Sequence, residues 1–500
     1  MKIRLPKSYY NIISYIGTTV AVIALFMFIF LYVLSSLARY DKAYIGLVDF
    51  IVIPTFIIIG LILIPVGMII KTRQQRKAGG EISRALPVLD LNLPRQRNGL
   101  IIFTAGTIIF LFLSGLGSYK AYHFTESNQF CGTLCHNLMI PEFTAYQHSP
   151  HARVHCAECH IGPGASWYVK SKLSGLYQVY ATIFNRYPRP IPTPIKSLRP
   201  VRETCEQCHW PQKVYGAEQR AEIFYLSDTE NTRWEIDMLM HTGGGNPALG
   251  HSVGIHWHIN KNIDIVYIAT DKKRSNIPRI IKTNLSTGEK VIYNNVNQPL
   301  DESKIPNYQT RTMDCIDCHN RPTHIYRTPS DFIDIAMAEG NIDPNLPMIK
   351  QTAVEACEQD YNSTPDAHKG ISEYIQNYYT NNYAKIDSTN SAMIDSSIQG
   401  IQTAFSQNIF PEMKVVWSEY PDHIGHFTSP GCYRCHDGLH KSETGEVISH
   451  HCDYCHTIIS QGKAGEKQFA QGSASLEFKH PVDIGEAWKE TGCFECHAEM

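Results

Sequence analysis

Seven close pairs of cysteines, each followed directly by a histidine, account for fourteen of the fifteen cysteines in the chain. The first pair has one extra residue and reads Cys131, Cys135 and His136. The other six have the spacing Cys-x-x-Cys-His, and they are Cys156–Cys159–His160, Cys205–Cys208–His209, Cys315–Cys318–His319, Cys432–Cys435–His436, Cys452–Cys455–His456 and Cys493–Cys496–His497. No other feature constrains the fold as strongly, because each copy ties a short stretch of chain to whatever these three side chains hold.

Cys-x-x-Cys-His is the attachment sequence of c-type haem. Two thiols can bond to one edge of a porphyrin, and the imidazole that follows can then bind the iron. Structural zinc sites also use paired cysteines, but they do not require a histidine after every pair. Disulfides between cysteines this close in sequence would close only very short loops and would stabilise a fold poorly. We therefore expect seven covalently bound haems, with the seven motif histidines as iron ligands.

The remaining histidines are the expected source of second axial ligands. Seven of the 23 histidines close the motifs and sixteen are left over. Electron-transfer haems usually take a second His or Met ligand, although any single histidine can instead be an ordinary surface or hydrogen-bonded residue. His256 and His258 are expected on one face of a strand, with His258 the preferred ligand. The candidate distal ligands are His151, His426, His451, His480, His258, His324 and His440.

Three apolar stretches precede the first motif: Ile12–Leu37, Ile45–Ile70 and Leu100–Tyr119. Each is long enough to cross a bilayer core of about 30 Å as a helix. Basic residues are concentrated at the N-terminus and between the second and third stretches, so the positive-inside rule puts both in the cytoplasm. The third stretch then leads to the outer side, where haem is attached. This predicts an inner-membrane protein with its haem region in the periplasm.

The rest of the chain predicts a mainly α fold with a small β-rich insert. Two or three helices are expected between Ser330 and Asn408, and the lone Cys357 there is expected to be a buried thiol. A net charge of −2 gives no reason to expect nucleic acid as a partner. The predicted segments are a membrane domain (residues 1–120), a trihaem segment (121–216), the β-rich insert (217–310), the fourth haem segment (311–329), a helical segment (330–419) and a C-terminal trihaem segment (420–500).

Residues 100–215 resemble the NapC/NirT/NrfH family of membrane-anchored multihaem quinol dehydrogenases. The resemblance is carried by Ser127–Cys131, by Ser149-Pro-His151 before the second motif, and by Cys205-Glu-Gln-Cys-His209-Trp-Pro. Three spans with seven motifs, together with the segment from Phe410 to His436, resemble heptahaem inner-membrane cytochromes of the ImcH type. The resemblance implies that electrons enter from membrane quinol, either menaquinol or ubiquinol, at the haem nearest the third stretch and leave to a periplasmic redox protein. A homo-oligomer or a hetero-oligomer stays open.

The resemblance also implies particular site residues, with some departures. A methionine ligand usually follows the first motif of the family, and here either His136 or Met139 is expected to bind that iron. Lys170 and Lys172 match the basic position of the family's quinol pocket, whereas residues 161–202 contain no Asp or Glu as proton acceptor.

Two alternative functions stay open at this point. The first is a passive haem relay fed by another membrane complex, without a quinol pocket. The second is a terminal oxyanion reductase, which needs an open iron coordination site. All seven motifs end in histidine, which argues against the reductase.

Overall fold

The computed structural model describes residues 7–38, 52–77, 90–133, 136–162, 164–193, 200–209, 216–243 and 254–498. The chain divides into two compact units, Met1–His136 and Asn137–Met500.

The first unit contains three long helices, α1 (Ile12–Ala38), α2 (Ile53–Lys77) and α3 (Pro94–Thr125), and then the short α4 (Asn128–Thr133). Within the described residues, α1, α2 and α3 are long and apolar enough to cross a membrane, as predicted. The start of the predicted second stretch, residues 45–51, lies outside the described residues. Pro94 begins α3, where its missing N–H costs no hydrogen bond.

Small residues allow α1 and α2 to approach closely. A Cβ on Gly17 would lie 2.7 Å from the carbonyl oxygen of Gly60, so only glycine fits at this crossing. The Ser14 hydroxyl donates a hydrogen bond to the carbonyl oxygen of Ile64 at 3.0 Å. Close backbone contact and interhelical hydrogen bonds are what hold helices together in lipid, where apolar burial gives no gain.

The second unit carries the last six motifs on short helical turns. Its helices are α5 (His136–Gln147), α6 (Cys156–His160), α7 (Ala165–Ile183), α8 (Val201–Cys205), α9 (Cys315–Cys318), α10 (Pro329–Ala338), α11 (Ile349–Cys357), α12 (Thr364–Asn382), α13 (Ala384–Thr389), α14 (Ser391–Asn408) and α15 (Cys493–His497).

Two antiparallel sheets lie in this unit, with strand orders β1-β2-β8-β9 and β6-β3-β4-β5-β7. The predicted β-rich insert is therefore present. Strands from the C-terminal segment are added to both of its sheets, because β8 pairs with β2 and β7 pairs with β5. The strands are β1 (Glu218–Tyr225), β2 (Arg233–Met240), β3 (Ile263–Ala269), β4 (Arg279–Asn284), β5 (Lys290–Asn295), β6 (Gln309–Thr312), β7 (His440–Ser442), β8 (His456–Lys463) and β9 (Gln468–Phe469).

The main apolar core belongs to helices α10 to α14 rather than to the motifs. Ile333, Ile349, Ile371 and Ile401 are fully buried there, and Cys357 is 3% exposed. The expectation of two or three helices between Ser330 and Asn408 was too low, since five helices occupy it. Ser363 caps α12 by accepting from the Asp366 N–H, which separates it from α11.

Candidate haem-attachment and ligand sites

Each described Cys-x-x-Cys-His motif forms one helical or 3₁₀ turn. In the third motif the His209 N–H donates to the Cys205 carbonyl at 2.8 Å, and the fourth motif repeats this bond from His319 to Cys315 at 2.7 Å. Residues three apart on such a turn are neighbours on one face. The turn therefore presents both thiols together and places the histidine next to them, as attachment to one porphyrin edge requires.

A second histidine faces the motif histidine in all six regular motifs. Two imidazoles that share one metal ion, each bound at about 2.0–2.1 Å, have ring centroids roughly 6 Å apart. The observed separations span 5.8 to 6.3 Å, and the arrangement therefore fits an iron held between two histidines. The pairs are His209–His151 (5.9 Å), His160–His324 (6.3 Å), His319–His256 (6.2 Å), His436–His258 (5.8 Å), His456–His426 (6.3 Å) and His497–His480 (6.2 Å).

Backbone carbonyls hold most of the facing histidines through Nδ1. His324 Nδ1 lies 3.0 Å from the Glu142 carbonyl oxygen, and His151 Nδ1 lies 3.1 Å from that of Pro322. His480 Nδ1 makes the same contact with the Val482 carbonyl at 2.7 Å. An Nδ1–H that donates to a carbonyl fixes the tautomer and leaves Nε2 as the free lone pair that a metal needs.

Two predicted ligands are not placed opposite any motif histidine in the described structure. His440 is fully buried, and its Nδ1 and Nε2 lie 2.8 Å from Asp437 Oδ1 and 2.7 Å from the Ile277 carbonyl oxygen. Both nitrogens are therefore used. The His451 ring stacks on His450 at 5.7 Å. The geometry favours His256, which was not a preferred ligand from sequence, over His440 and His451.

The segment that carries His256 and His258 differs from expectation. It is a 3₁₀ turn, Ile255–Ile259, and not a strand. Residues two apart on a turn with three residues per revolution point in different directions. The two rings consequently face the histidines of two different motifs.

A buried polar cluster anchors the fourth motif to the second sheet. Asp317 lies between Cys315 and Cys318, and its Oδ1 accepts from Arg274 Nη1 at 2.8 Å and from the Tyr267 hydroxyl at 2.5 Å. Arg311 Nε donates to the same oxygen at 2.9 Å. Burial alone would raise the pKa of Asp317, but the hydrogen bonds from Arg311 and Tyr267 outweigh it and hold that pKa below its usual range. The carboxylate is the shared acceptor of the cluster.

Arg321 contacts the backbone of His324, one of the facing histidines. Its guanidinium carbon lies over the rings of both Tyr326 and Tyr420, 5.0 Å and 4.4 Å from their centroids. Its Nε donates to the His324 carbonyl. Nearby, burial raises the pKa of the Glu142 carboxyl, although the Arg321 charge opposes the shift. No motif in the sequence marks these residues, because they come together only in the folded chain.

Successive motifs are neighbours in space. The Cys159 thiol lies near Cys208, and Cys205 is within hydrogen-bond reach of Cys315. The series continues from Cys318 to Cys432, from Cys432 to Cys455, and from Cys452 to Cys493. The motifs from the second to the seventh thus follow one another in chain order.

The first motif is only partly described. Cys135 and the side chain of His136 lie outside the described residues, while Cys131 and Met139 are half-buried. The structure therefore leaves the choice between His136 and Met139 as a prediction.

The predicted quinol-pocket lysines lie on α7, a helix with one exposed apolar face. Val169, Leu173 and Leu176 are 53%, 63% and 67% exposed, and Tyr180 continues their spacing. At 100° per residue, Lys170 and Lys172 border this face on opposite sides. Their Nζ atoms lie over the rings of Trp167 and Tyr168, at 4.4 Å and 4.8 Å from the centroids.

Comparison with known proteins agrees with the motifs. The family described as NapC/NirT cytochrome c family, N-terminal region, matches residues 94–190. The cytochrome c-type protein ImcH of Geobacter sulfurreducens is 45% identical over 498 residues, which cover 99% of this chain and 97% of that protein. No solved structure matches the chain. The resemblance drawn from the motifs is confirmed.

Proposed function

The chain belongs to the family of the cytochrome c-type protein ImcH and is a membrane-anchored multihaem cytochrome of electron transfer; from this we propose that it takes electrons from membrane quinol and passes them through seven haems to a periplasmic redox protein. When bound, each haem takes up and releases one electron at its iron. The fourteen motif cysteines attach the haems, and His136 or Met139 and the six later motif histidines are the proposed ligands on one side.

The observation that carries this proposal is the histidine opposite each of the six regular motif histidines. His151, His324, His256, His258, His426 and His480 are the proposed distal ligands. An iron with two protein ligands has no open position for substrate, so such a site moves electrons and does not reduce an oxyanion. In five of these six imidazoles, a carbonyl contact to Nδ1 keeps the ring oriented and basic.

The exposed apolar face of α7 supports quinol as the electron donor. Quinols are lipophilic, and exposed apolar patches mark surfaces that bind ligands or membrane. A quinol on this face would have its oxygen near an ammonium group on either side. Lys170 or Lys172 would donate a hydrogen bond to that oxygen and orient the quinol. Two protons must leave as two electrons are removed, and the proposed topology releases them outside.

Reduction by a quinol analogue tests this function in the purified, haem-loaded full chain. A charge-assisted hydrogen bond contributes about 1.5–3 kcal/mol, so the double variant K170Q/K172Q is expected to lower kcat/KM for the quinol by roughly 10- to 100-fold. Lys369, which is exposed on α12, provides the matched control, and K369Q is expected to leave the rate unchanged.

The same assay separates quinol oxidation from the passive relay. A chain that dithionite reduces fully, but that no quinol analogue reduces, would support the relay and contradict the proposal. Equal loss of rate in K369Q and K170Q/K172Q would exclude the lysines from the quinol site while leaving quinol oxidation itself in place.

The proposed location is the inner membrane, with residues 121–500 on the periplasmic side. Cysteine attachment of haem outside the cytoplasm and the basic residues near Lys71 and Arg73 support this orientation. Alkaline phosphatase fused after residue 500 is expected to be active, and fused after residue 77 it is expected to be inactive. The reverse result would contradict the orientation.

A further inference from the structure

The 3₁₀ turn Ile255–Ile259 is fixed to the first sheet by its backbone. The Ile255 N–H donates to the His241 carbonyl at 2.8 Å, and the His256 N–H donates to that of Thr242 at 3.2 Å. Gly254, just before the turn, has φ +86°, and a Cβ there would lie 2.4 Å from the His241 carbonyl oxygen. Only glycine can therefore join the turn to this edge without displacing it.

The two histidines of the turn face different motifs. The His256 ring centroid lies 6.2 Å from that of His319, and the His258 centroid lies 5.8 Å from that of His436. Between them, the half-buried Trp257 packs on the apolar cluster of the second sheet. The turn therefore spans the fourth and fifth motifs.

In both histidines, Nδ1 contacts a backbone carbonyl, which leaves Nε2 available to bind a metal. His256 Nδ1 bonds to the Thr242 carbonyl, and His258 Nδ1 lies 2.6 Å from the Ile255 carbonyl oxygen. A neutral imidazole that donates through Nδ1 offers its lone pair at Nε2. In both cases the chain's own backbone sets the tautomer.

We propose that the turn Ile255–Ile259 is a shared ligand strap, which supplies the distal ligands of two different haem irons: His256 opposite His319, and His258 opposite His436. This inference rests on the proposed haem attachment at the fourth and fifth motifs, but it does not depend on quinol. Because the ligands are two residues apart on one short turn, a shift of the strap changes both centres together.

The ring planes make the two centres distinguishable. The His256 and His319 rings are nearly parallel, at 9°, whereas the His258 and His436 rings are nearly perpendicular, at 84°. Parallel imidazoles split the iron d orbitals with which they interact, and a ferric low-spin centre then gives a rhombic paramagnetic resonance spectrum. Perpendicular imidazoles leave those orbitals nearly degenerate and give a single feature at large g. The strap therefore holds one centre of each kind.

Electron paramagnetic resonance of the oxidised full chain in detergent tests the strap without any quinol. H256A is expected to convert one rhombic low-spin signal into a high-spin signal. H258A is expected to remove about half of the large-g intensity, since His151–His209, at 72°, is the other steep pair among those described. H451A is the matched control, because its ring lies on His450, and it is expected to change neither signal.

The variant G254A tests whether one strap carries both ligands. It should alter the rhombic and the large-g signals together while the mass of attached haem stays the same. If G254A alters only one signal or neither, or if H256A leaves all low-spin signals intact, the shared strap is excluded. Should G254A fail to fold, the two histidine variants still decide the assignment. A normal resonance result combined with no quinol oxidation would leave the strap in place and contradict only the proposed donor.

Discussion

Replacing Asp317 by asparagine should destabilise the region around the fourth motif strongly. The side chain is 2% exposed and is the shared acceptor for Arg274 and Arg311, and Arg274 is itself only 6% exposed. D317N keeps the shape but leaves a buried guanidinium without its counter-charge. Removing one partner of a buried ion pair costs about 3–5 kcal/mol. The folded-to-unfolded ratio of this region is therefore expected to fall by roughly 100-fold or more.

Asp314 offers a matched control three residues earlier. It is 24% exposed and lies 3.4 Å from Arg311 Nη2, and it caps α9 by accepting from the Ile316 N–H. Asparagine caps helices as well as aspartate does, so D314N should cost less than about 1 kcal/mol. Both changes are Asp to Asn, one inside the fourth motif and one directly before it, and they differ mainly in burial and in the charges left behind.

Urea unfolding of the haem-loaded full chain, followed by circular dichroism, compares the two variants. For a slope of about 1–3 kcal/mol per molar, a cost of about 3–5 kcal/mol means that D317N is expected to lower the midpoint of the affected transition by roughly 1–5 M. Mass analysis first confirms that both proteins carry the same number of haems. If D317N and D314N lower the midpoint equally, the buried charge cluster does not stabilise this region, and the reasoning fails.

Three further predictions concern the second unit. K350M leaves the buried Asp334 carboxylate without the ammonium 2.6 Å away and should lower the unfolding midpoint, and K350M/D334N should recover part of the loss in the same urea assay. Hydrogen bonding from the Ser460 hydroxyl holds the pKa of Asp237 below its ordinary value. The ionised carboxylate therefore stabilises the fold above the unfolded pKa of about 3.9, and this stabilisation is lost as the pH falls through the folded pKa. Between pH 5 and pH 3, the thermal unfolding midpoint should consequently fall more in the wild type than in D237N. C357A removes a buried thiol outside every motif and should leave the mass of attached haem unchanged, whereas a loss of one haem would show that Cys357 takes part in attachment.

Local patterns predicted those parts of the molecule that depend on neighbouring residues. A Cys-x-x-Cys-His motif requires only one turn, and a membrane helix requires only a long apolar run, so both follow from the sequence. The first sheet could not be assigned from residues 217–310 alone, because β2 pairs with β8, more than two hundred residues later. Its register depends on the folded chain.

Distal ligands show the same limit at the level of single residues. His324 faces His160 from a different part of the chain, and no short pattern connects them. His440 and His451 lie close in sequence to the fifth and sixth motifs, but closeness in sequence does not determine the direction in which an imidazole ring points. In the expected strand, His256 and His258 would share one face. A 3₁₀ turn points them apart, and both can then serve.

The position of the apolar core suggests how folding and haem attachment are related in this chain. Among the described residues, the largest cluster of buried side chains lies in α10 to α14, which contain no motif. The motif turns are short, and several of their cysteines are exposed. Helical turns of four or five residues are not stable by themselves. Groups that bind only the folded state stabilise it, so an iron between His151 and His209, or between His160 and His324, would join distant segments that have little core of their own. Because the helices α10 to α14 have their own apolar core, we expect them to keep their structure without such links, and we expect the motif-bearing segments to depend on the links.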